Sequence, residues 1–466
     1  MIRLLNTLTN QKEEFEPMKS RNVGIFICGP TVYDYSHIGH ARTYVIFDVI
    51  AKYLRSRGYR IKFVMNITDI DDKIIQRAKE EEKTWEEITE FYEKAFMEDV
   101  RILGIDSIDK FARATDHTSQ IIKQIKTLIH KGYAYQIEDG IYFDISRFSD
   151  YGKLAKRTVE QAEDAVSRID ESASKRNKGD FALWRFSEPD ELFWSSPWGK
   201  GRPGWHIEDT AISEKYLGQQ YEIHCGAQDL IFPHHEAEIA QAEAASGKKP
   251  FVKYWLHSGF VTINGQKMSK SLKNFITIRD LLKEYSPEAL RFMIISAYYR
   301  SPIDYKEDLI KQSEAAIQRF RELINKLELV KKSGPKNEKI EVNEIIGNTK
   351  TEFEKKMDDD FNTPEALAVL FNFIRIINGF IDEGVLEKKS AGQTIKFLEE
   401  INEIFGILPQ KDKDSDIPGE IFELVQKREN LRKQKSWLEA DKARDEIQSL
   451  GYSIDDTSYG PLVKSK

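Results

Sequence analysis

Cysteine is almost missing from this chain: Cys28 and Cys225 are the only two in 466 residues. Two thiols cannot build a disulfide framework, so covalent staples are excluded as a source of stability. A reducing compartment and a chemical role for the thiols are expected instead. There is no run of 18 or more apolar residues, which argues against a membrane-spanning helix. The opening "MIRLLNTLTNQKEEFEP" turns polar and acidic too early for a signal peptide. The expected location is therefore the cytoplasm, with no membrane partner. Positive charge is not in excess either: 70 Lys and Arg face 77 Asp and Glu, for a net charge of −7. No global attraction to nucleic acid follows, so any RNA contact must come from a local basic patch. Internal repeats are absent as well.

Against that scarcity, "ICGPTVYDYSHIGHART" (27–43) gathers Cys28, His37 and His40, although the whole chain has only nine histidines. The surrounding pattern places them. "VGIFIC" (23–28) reads as a short apolar strand, 40–58 as an amphipathic helix ending at Gly58, and 60–68 as a second strand. Strand–helix–strand at this spacing implies a parallel α/β sheet. Residues 118–200 are less regular and read as an insertion, with a helix at 118–131 and a strand in "EDGIYFDIS". The α/β pattern resumes with a strand at 221–225 and a helix from Pro233. From about residue 281 the pattern is helical; Thr363 is the expected N-cap of the helix at 363–381, with Pro364 in its first turn.

His37-Ile38-Gly39-His40 would follow a strand and open a helix. A helix N-terminus presents free N–H groups and positive potential, which suits phosphate. Gly39 allows a ligand or a neighbouring backbone to approach closely. About 230 residues further on, Lys267-Met268-Ser269-Lys270-Ser271 sits in "NGQKMSKSLKN". Glycine, lysines and small hydroxyl residues make a basic loop able to clamp a polyphosphate. Each motif alone has an ordinary alternative, a structural histidine or a solvated basic turn. Together they are hard to dismiss.

The pair resembles the ATP-binding signatures of class I aminoacyl-tRNA synthetases. Longer stretches are more specific: "CGPTVYDYSHIGHART", "NITDIDDKII", "KRNKGDFALWR", "SPWGKGRPGWHIE", "DLIFPHHEAEIAQ", "GQKMSKSLKN" and "MDDDFNTPEAL". In that order they resemble the cysteinyl-tRNA synthetase family from residue 2 to the C-terminus. The resemblance implies a Rossmann-type parallel-sheet catalytic domain with an α+β insertion, followed by all-α C-terminal domains. The boundaries it suggests are 1–117 and 201–255 for the two catalytic halves, 118–200 for the insertion and 256–310 for the lysine-loop and stem-contact region. A helical bundle at 311–408 and an anticodon-binding domain at 409–466 complete the chain.

For function it implies a ligase that joins L-cysteine to tRNA(Cys) through cysteinyl-adenylate, with ATP, Mg²⁺ and one Zn²⁺ per chain, acting as a monomer. His37, His40, Lys267 and Lys270 would be catalytic, and Gly39, Met268, Ser269 and Ser271 would join them around ATP. Gly29, Thr68, Trp205, His224 and Asp229 would surround the bound cysteine. The family's zinc ligands are two Cys, a His and a Glu. Three positions match, Cys28, His234 and Glu238, and the last two are four apart on one helical face. Asp209 stands where the second Cys is usual. It keeps the formal charge but is a harder ligand. Cys225, where the family usually has Gly, is the alternative fourth ligand or simply a small buried residue.

At the C-terminus, five of the nine residues 427–435 are basic. Arg428, Arg432 and Lys435 share a face by spacing, and Trp437 is placed to stack on a base. No hydrolytic editing domain is apparent, which fits selection by metal: a plain pocket separates near-isosteres such as serine and cysteine poorly. Two other classes stay open at this point, a small-molecule cysteine ligase and a non-catalytic RNA- or zinc-binding derivative.

Overall fold

The computed structural model describes residues 1–157, 174–188, 192–268, 272, 274–335, 342–408 and 418–465. Its contacts divide the chain into two compact units, one made of Met1–Leu309 with Met357–Thr363, the other of Ile310–Lys356 with Pro364–Lys466.

The first unit is built on a five-stranded sheet: β1 (Asn22–Ile27), β2 (Arg60–Ile67), β3 (Lys110–Arg113), β4 (Tyr221–Ala227) and β5 (Val252–Ser258). Spatial order is β5-β4-β1-β2-β3, and every pairing is parallel. Parallel strands buried on both faces read as continuous apolar runs, and Ile25, Phe26 and Ile27 are all at or below 2% exposure. Removing such a side chain from water contributes about 1.5–3 kcal/mol each. The crossovers include α1 (Ile38–Ser56) between β1 and β2, α2 (Ile207–Leu217) before β4, and α3 (Glu236–Ser246) between β4 and β5. Strand order reverses between β1 and β4. In open α/β sheets the crevice beyond the carboxyl ends at such a point collects ligands.

Helix α1 ends as its sequence suggests, with Gly58 at φ 84° just past the C-cap. The start of α1 is pinned from within. Arg42 is buried, and its guanidinium donates to the carbonyls of Phe260 and Tyr299 at 3.0 and 3.1 Å. Further along, buried Asp48 accepts from Arg291 at 2.9 Å; burial alone would raise this carboxyl, but Arg291 and Lys52 outweigh it and hold it low.

The insertion between β3 and α2 carries the helix Thr118–His130 and an antiparallel five-stranded sheet. The three-residue run "DDD" belongs to the first unit. Asp358 accepts from Tyr53 at 2.6 Å, Asp359 from Lys12 at 2.6 Å, and Asp360 from the Leu5 N–H at 2.8 Å and Arg300 at 3.0 Å.

The second unit is helical, as expected, with one addition. After the helices Gly419–Lys433 and Trp437–Ser449 comes an antiparallel hairpin, Tyr452–Thr457 with Gly460–Ser465. Among the described residues, Thr363–Asp382 is the helix long and apolar enough by composition to cross a membrane. Its Ala366, Leu370, Phe373, Ile377 and Ile381 are buried at three- and four-residue steps, the stripe of a bundle helix. Thr363 does not cap it through its side chain: the hydroxyl is buried and makes no hydrogen bond.

Candidate metal and nucleotide site

Cys28 follows directly on β1, with its thiol at the reversal point of the sheet. The chain then turns through Gly29, where a Cβ would stand 1.7 Å from the Asn66 carbonyl oxygen, so only glycine fits. Around the Cys28 sulfur converge side chains more than 170 residues away in sequence. His224 comes from within β4, Asp209 from the first turn of α2, and Glu238 from the first turn of α3. His234 and His235 lie in the wide turn Ile231–His235 that leads into α3. A regular helix from Pro233 does not form: Phe232 is extended, and the helix proper begins at Glu236.

The four residues Cys28, Asp209, His234 and Glu238 come together. His234 Nε2 lies 3.0 Å from Asp209 Oδ2 and 3.2 Å from Glu238 Oε1, and Cys28 Sγ is 3.9 Å from Glu238 Oε1. All four are buried, and their donor atoms lie within 4.8 Å of one another. Cys225 does not join them. Its thiol donates to the Phe26 carbonyl at 3.3 Å inside the sheet. The same pocket holds residues that the sequence did not flag. His235 Nε2 is 3.1 Å from Cys28 Sγ, His206 meets His234 at 2.8 Å, and His257 meets His235 at 2.8 Å. Thr68 donates to buried Glu208 at 2.6 Å.

Burial opposes charge on nearly every member. It pushes the Cys28 thiol up, aided by Asp209 and Glu238, and pushes Glu238 up with Asp209 beside it. The imidazoles of His206, His224 and His235 are driven down by burial and by neighbouring histidines, His234 among them, and burial with Arg300 pushes His257 down to about 3. Asp209 Oδ1 and Glu238 Oε2 are buried and accept no hydrogen bond. Soft sulfur, imidazoles held neutral and orphaned carboxylate oxygens are the donor set a divalent metal satisfies: its charge favours the thiolate and the carboxylates and keeps the imidazoles neutral.

The nucleotide motif is built locally. His37 is the N-cap of α1: its Nδ1 accepts from the N–H groups of Gly39 and His40 at 3.1 and 3.4 Å. The His40 ring returns a bond to the His37 N–H at 3.4 Å and stacks on the His37 ring at 3.8 Å between centroids. Burial and the neighbouring His37 push His40 well below the ordinary histidine range. A Cβ at Gly39 would stand 2.8 Å from the His37 ring and 3.9 Å from Met268 Cε, so the second motif borders the first. The segment after that loop returns to the helix start, with Ile38 N–H donating to Ile276 O at 3.1 Å and Ile278 N–H to Ser36 O at 2.9 Å. Ser269, Lys270 and Ser271 lie outside the described residues, as does the side chain of Lys267.

The expected cysteine-contact positions border this pocket. Trp205 is 38% exposed and stacks on His234 at 4.6 Å. Beside it a cavity of about 260 Å³ is lined by Asp71, Lys73, Arg202, Trp205 and His206 among others. His224 forms the pocket wall against Trp255 at 4.4 Å, and Asp229 is exposed just past β4.

The C-terminal basic face needs correction. Arg428 is 2% exposed and gives a bidentate pair to Asp456 of the hairpin, at 2.8 Å twice, so it is not available to a phosphate. Arg432 reaches the same carboxylate at 2.5 Å. The helix ends at Lys433, and Lys435 lies beyond it at φ 61°, which interrupts the face inferred from spacing. Trp437 remains 58% exposed, with Leu438 and Phe422 also open.

A family model described as the catalytic domain of class I (C) tRNA synthetases matches residues 14–315. A cysteine–tRNA ligase from Thermodesulfovibrio yellowstonii is 47% identical, over 100% of both chains. The chain belongs to the cysteinyl-tRNA synthetase family. Another cysteinyl-tRNA synthetase, from Thermococcus onnurineus, is 45% identical over 99% of each chain. A "DALR domain" model matches residues 352–409, in the helices before the segment expected from the sequence to contact the anticodon. The fold extends to more distant enzymes. The Mycobacterium tuberculosis methionyl-tRNA synthetase in complex with methionyl-adenylate superposes with a TM-score of 0.61 at 14% identity, over 83% of this chain and 90% of that one.

Proposed function

We propose that this cysteinyl-tRNA synthetase activates L-cysteine with ATP and Mg²⁺ in the cytoplasm and charges the 3′-terminal ribose of tRNA(Cys). Selection of the thiol falls to zinc in the Cys28 pocket. The observation that carries this reading is the adjacency of the two parts: Cys28, whose thiol joins the buried cluster with Asp209, His234 and Glu238, lies nine residues before the His37 helix cap. A zinc ion held there supplies a soft Lewis acid that takes thiolate sulfur in preference to a hydroxyl.

The protein's own residues position the rest. Gly29 lets the amino acid approach the backbone, Trp205 and Thr68 flank it, and Asp229 faces its ammonium. The cysteine carboxylate oxygen attacks the α-phosphorus, and the bond to pyrophosphate breaks. The His37–His40 pair borders the phosphates at the positive end of α1, whose first N–H groups are already taken by His37 and Ile276, while Lys267 and Lys270 neutralise the departing pyrophosphate. A ribose hydroxyl of the terminal adenosine then attacks the cysteinyl carbonyl, and AMP leaves. Little covalent chemistry is asked of the side chains, so orientation and charge stabilisation account for the rate. Lys435 and Trp437 contribute to the tRNA contact at the far end of the chain.

Cysteine-dependent ATP–pyrophosphate exchange, followed by charging of tRNA(Cys), tests this reading. Exchange without charging would turn the assignment to a small-molecule cysteine ligase, and absence of both would leave a binding protein.

A further inference from the structure

The pocket contains a second set of ligand atoms that shares Cys28 and Glu238 with the first. We propose that Cys28, His224, His235 and Glu238 form an alternative metal seat, and that zinc occupies it in competition with the Asp209–His234 seat. This rests on the metal reading above and concerns where in that pocket the ion sits.

Geometry carries the first part. Cys28 Sγ lies 3.4 Å from His224 Nε2, 3.1 Å from His235 Nε2 and 3.9 Å from Glu238 Oε1. Glu238 oxygens lie 3.6 Å from His224 Nε2 and 3.9 Å from His235 Nε2. Tetrahedral zinc with ordinary bond lengths separates its ligand atoms by roughly 3.3–3.6 Å. The three Cys28 edges and the Glu238 Oε1–His235 edge belong to one set of ligand atoms and need only small adjustment, while the 3.6 Å contact to His224 is made by the other carboxylate oxygen, Oε2.

Both imidazoles are also held from behind, which fixes which nitrogen faces the sulfur. His224 Nδ1 meets Tyr221 OH at 2.7 Å. His235 Nδ1 meets His257 Nε2 at 2.8 Å, and His257 Nδ1 meets Thr7 Oγ1 at 2.8 Å. Packing leaves little freedom to turn away: His224 stacks on Trp255, and a Cβ at Gly226 would stand 2.9 Å from His235 Cε1.

Ligand chemistry carries the second part. The Asp209–His234 seat offers one sulfur, one nitrogen and two oxygens, three of them anionic. The alternative offers one sulfur, two nitrogens and one oxygen, two of them anionic, so a divalent ion there is formally neutral. Zinc favours nitrogen and sulfur over carboxylate oxygen, and the histidine-rich seat replaces one oxygen ligand with a nitrogen. With the ion on the histidine-rich seat, Asp209 keeps His234 as its partner at 3.0 Å. The two shared ligands allow one ion at a time.

X-ray absorption at the zinc edge of the unsubstituted, zinc-loaded chain reads the seat directly. Two imidazoles and one sulfur per zinc are expected; one imidazole per zinc would overturn the proposal while leaving the metal reading intact. No zinc retained after loading would overturn both. A chelator titration supplies a second readout. His235→Ala should weaken zinc retention about 10–100-fold, and Asp209→Ala by less than about threefold. The reverse order would place the ion on Asp209 and His234.

Discussion

The two ends of the stretch from Cys28 to His40 are built by opposite means. At its start, Cys28 is buried among side chains brought from β4, α2, α3 and the turn before α3. At its end, His37 and His40 cap their own helix through a reciprocal pair of bonds three residues apart. The first is a long-range site whose geometry exists before any substrate arrives, because packing of the sheet and its crossovers fixes it. The second is a local device that becomes a phosphate site only when the lysine loop and a nucleotide are added. Under the proposed function, thiol selection belongs to the first, rigid part and rate to the second, adaptable part.

The largest effect should come from breaking the adaptable part alone. Lys270→Ala should slow cysteine-dependent pyrophosphate exchange by about 10²–10³-fold, since it removes charge stabilisation that develops in the transition state. Cysteine affinity, measured by titration calorimetry, should stay within about threefold. Unchanged exchange turnover would remove the lysine from the mechanism.

Next in size is separating activation from tRNA contact. A chain ending at residue 408 should retain pyrophosphate exchange and lose about 10–100-fold in tRNA charging rate, the scale of one lost base stack. Full charging by that chain would contradict the placement of tRNA contact in the last helices.

Sharpening the rigid part should have a smaller effect. Asp209→Cys restores the family's second thiolate, and zinc retention under chelator should rise about tenfold. Cys225→Ala should leave it within about twofold, because that thiol bonds the Phe26 carbonyl instead. Zinc loss on Cys225→Ala would contradict this and make that thiol a ligand.

These contrasts follow what could be read in the sequence. Strand–helix alternation located β1, α1, β2 and β4 because apolar runs and Gly58 are local signals. Cys28, Asp209, His234 and Glu238 came from resemblance to a family, and the fold brings them together. His206, His235 and His257 escaped notice because nothing local marks them: their proximity depends on how the start of α2, β5 and the turn before α3 pack. Arg428 was misread for the same kind of reason. Helical spacing put it on a basic face, but a hairpin absent from that reading supplies Asp456 to pair with it.

The smallest expected effect tests this last point. Arg428 and Arg432 outweigh burial and hold Asp456 at about 2. A depressed carboxyl contributes stability that is present above its unfolded value of about 3.8 and is lost as pH falls through about 2. Asp456→Asn should lower unfolding stability by about 1 kcal/mol at pH 7, discounted because the carboxylate is 40% exposed. Its urea midpoint should then change less than that of the unsubstituted chain between pH 4 and 2. An identical pH response in both proteins would mean that the pair contributes nothing.

The division between a rigid selective pocket and an adaptable nucleotide site is tested most directly by one ratio, that of cysteine- to serine-dependent pyrophosphate exchange, measured before and after chelator treatment and again after zinc is restored. A strong preference for cysteine that collapses on metal removal and returns with zinc is the predicted result. A preference that survives complete metal removal would contradict it and place thiol selection in the pocket walls instead.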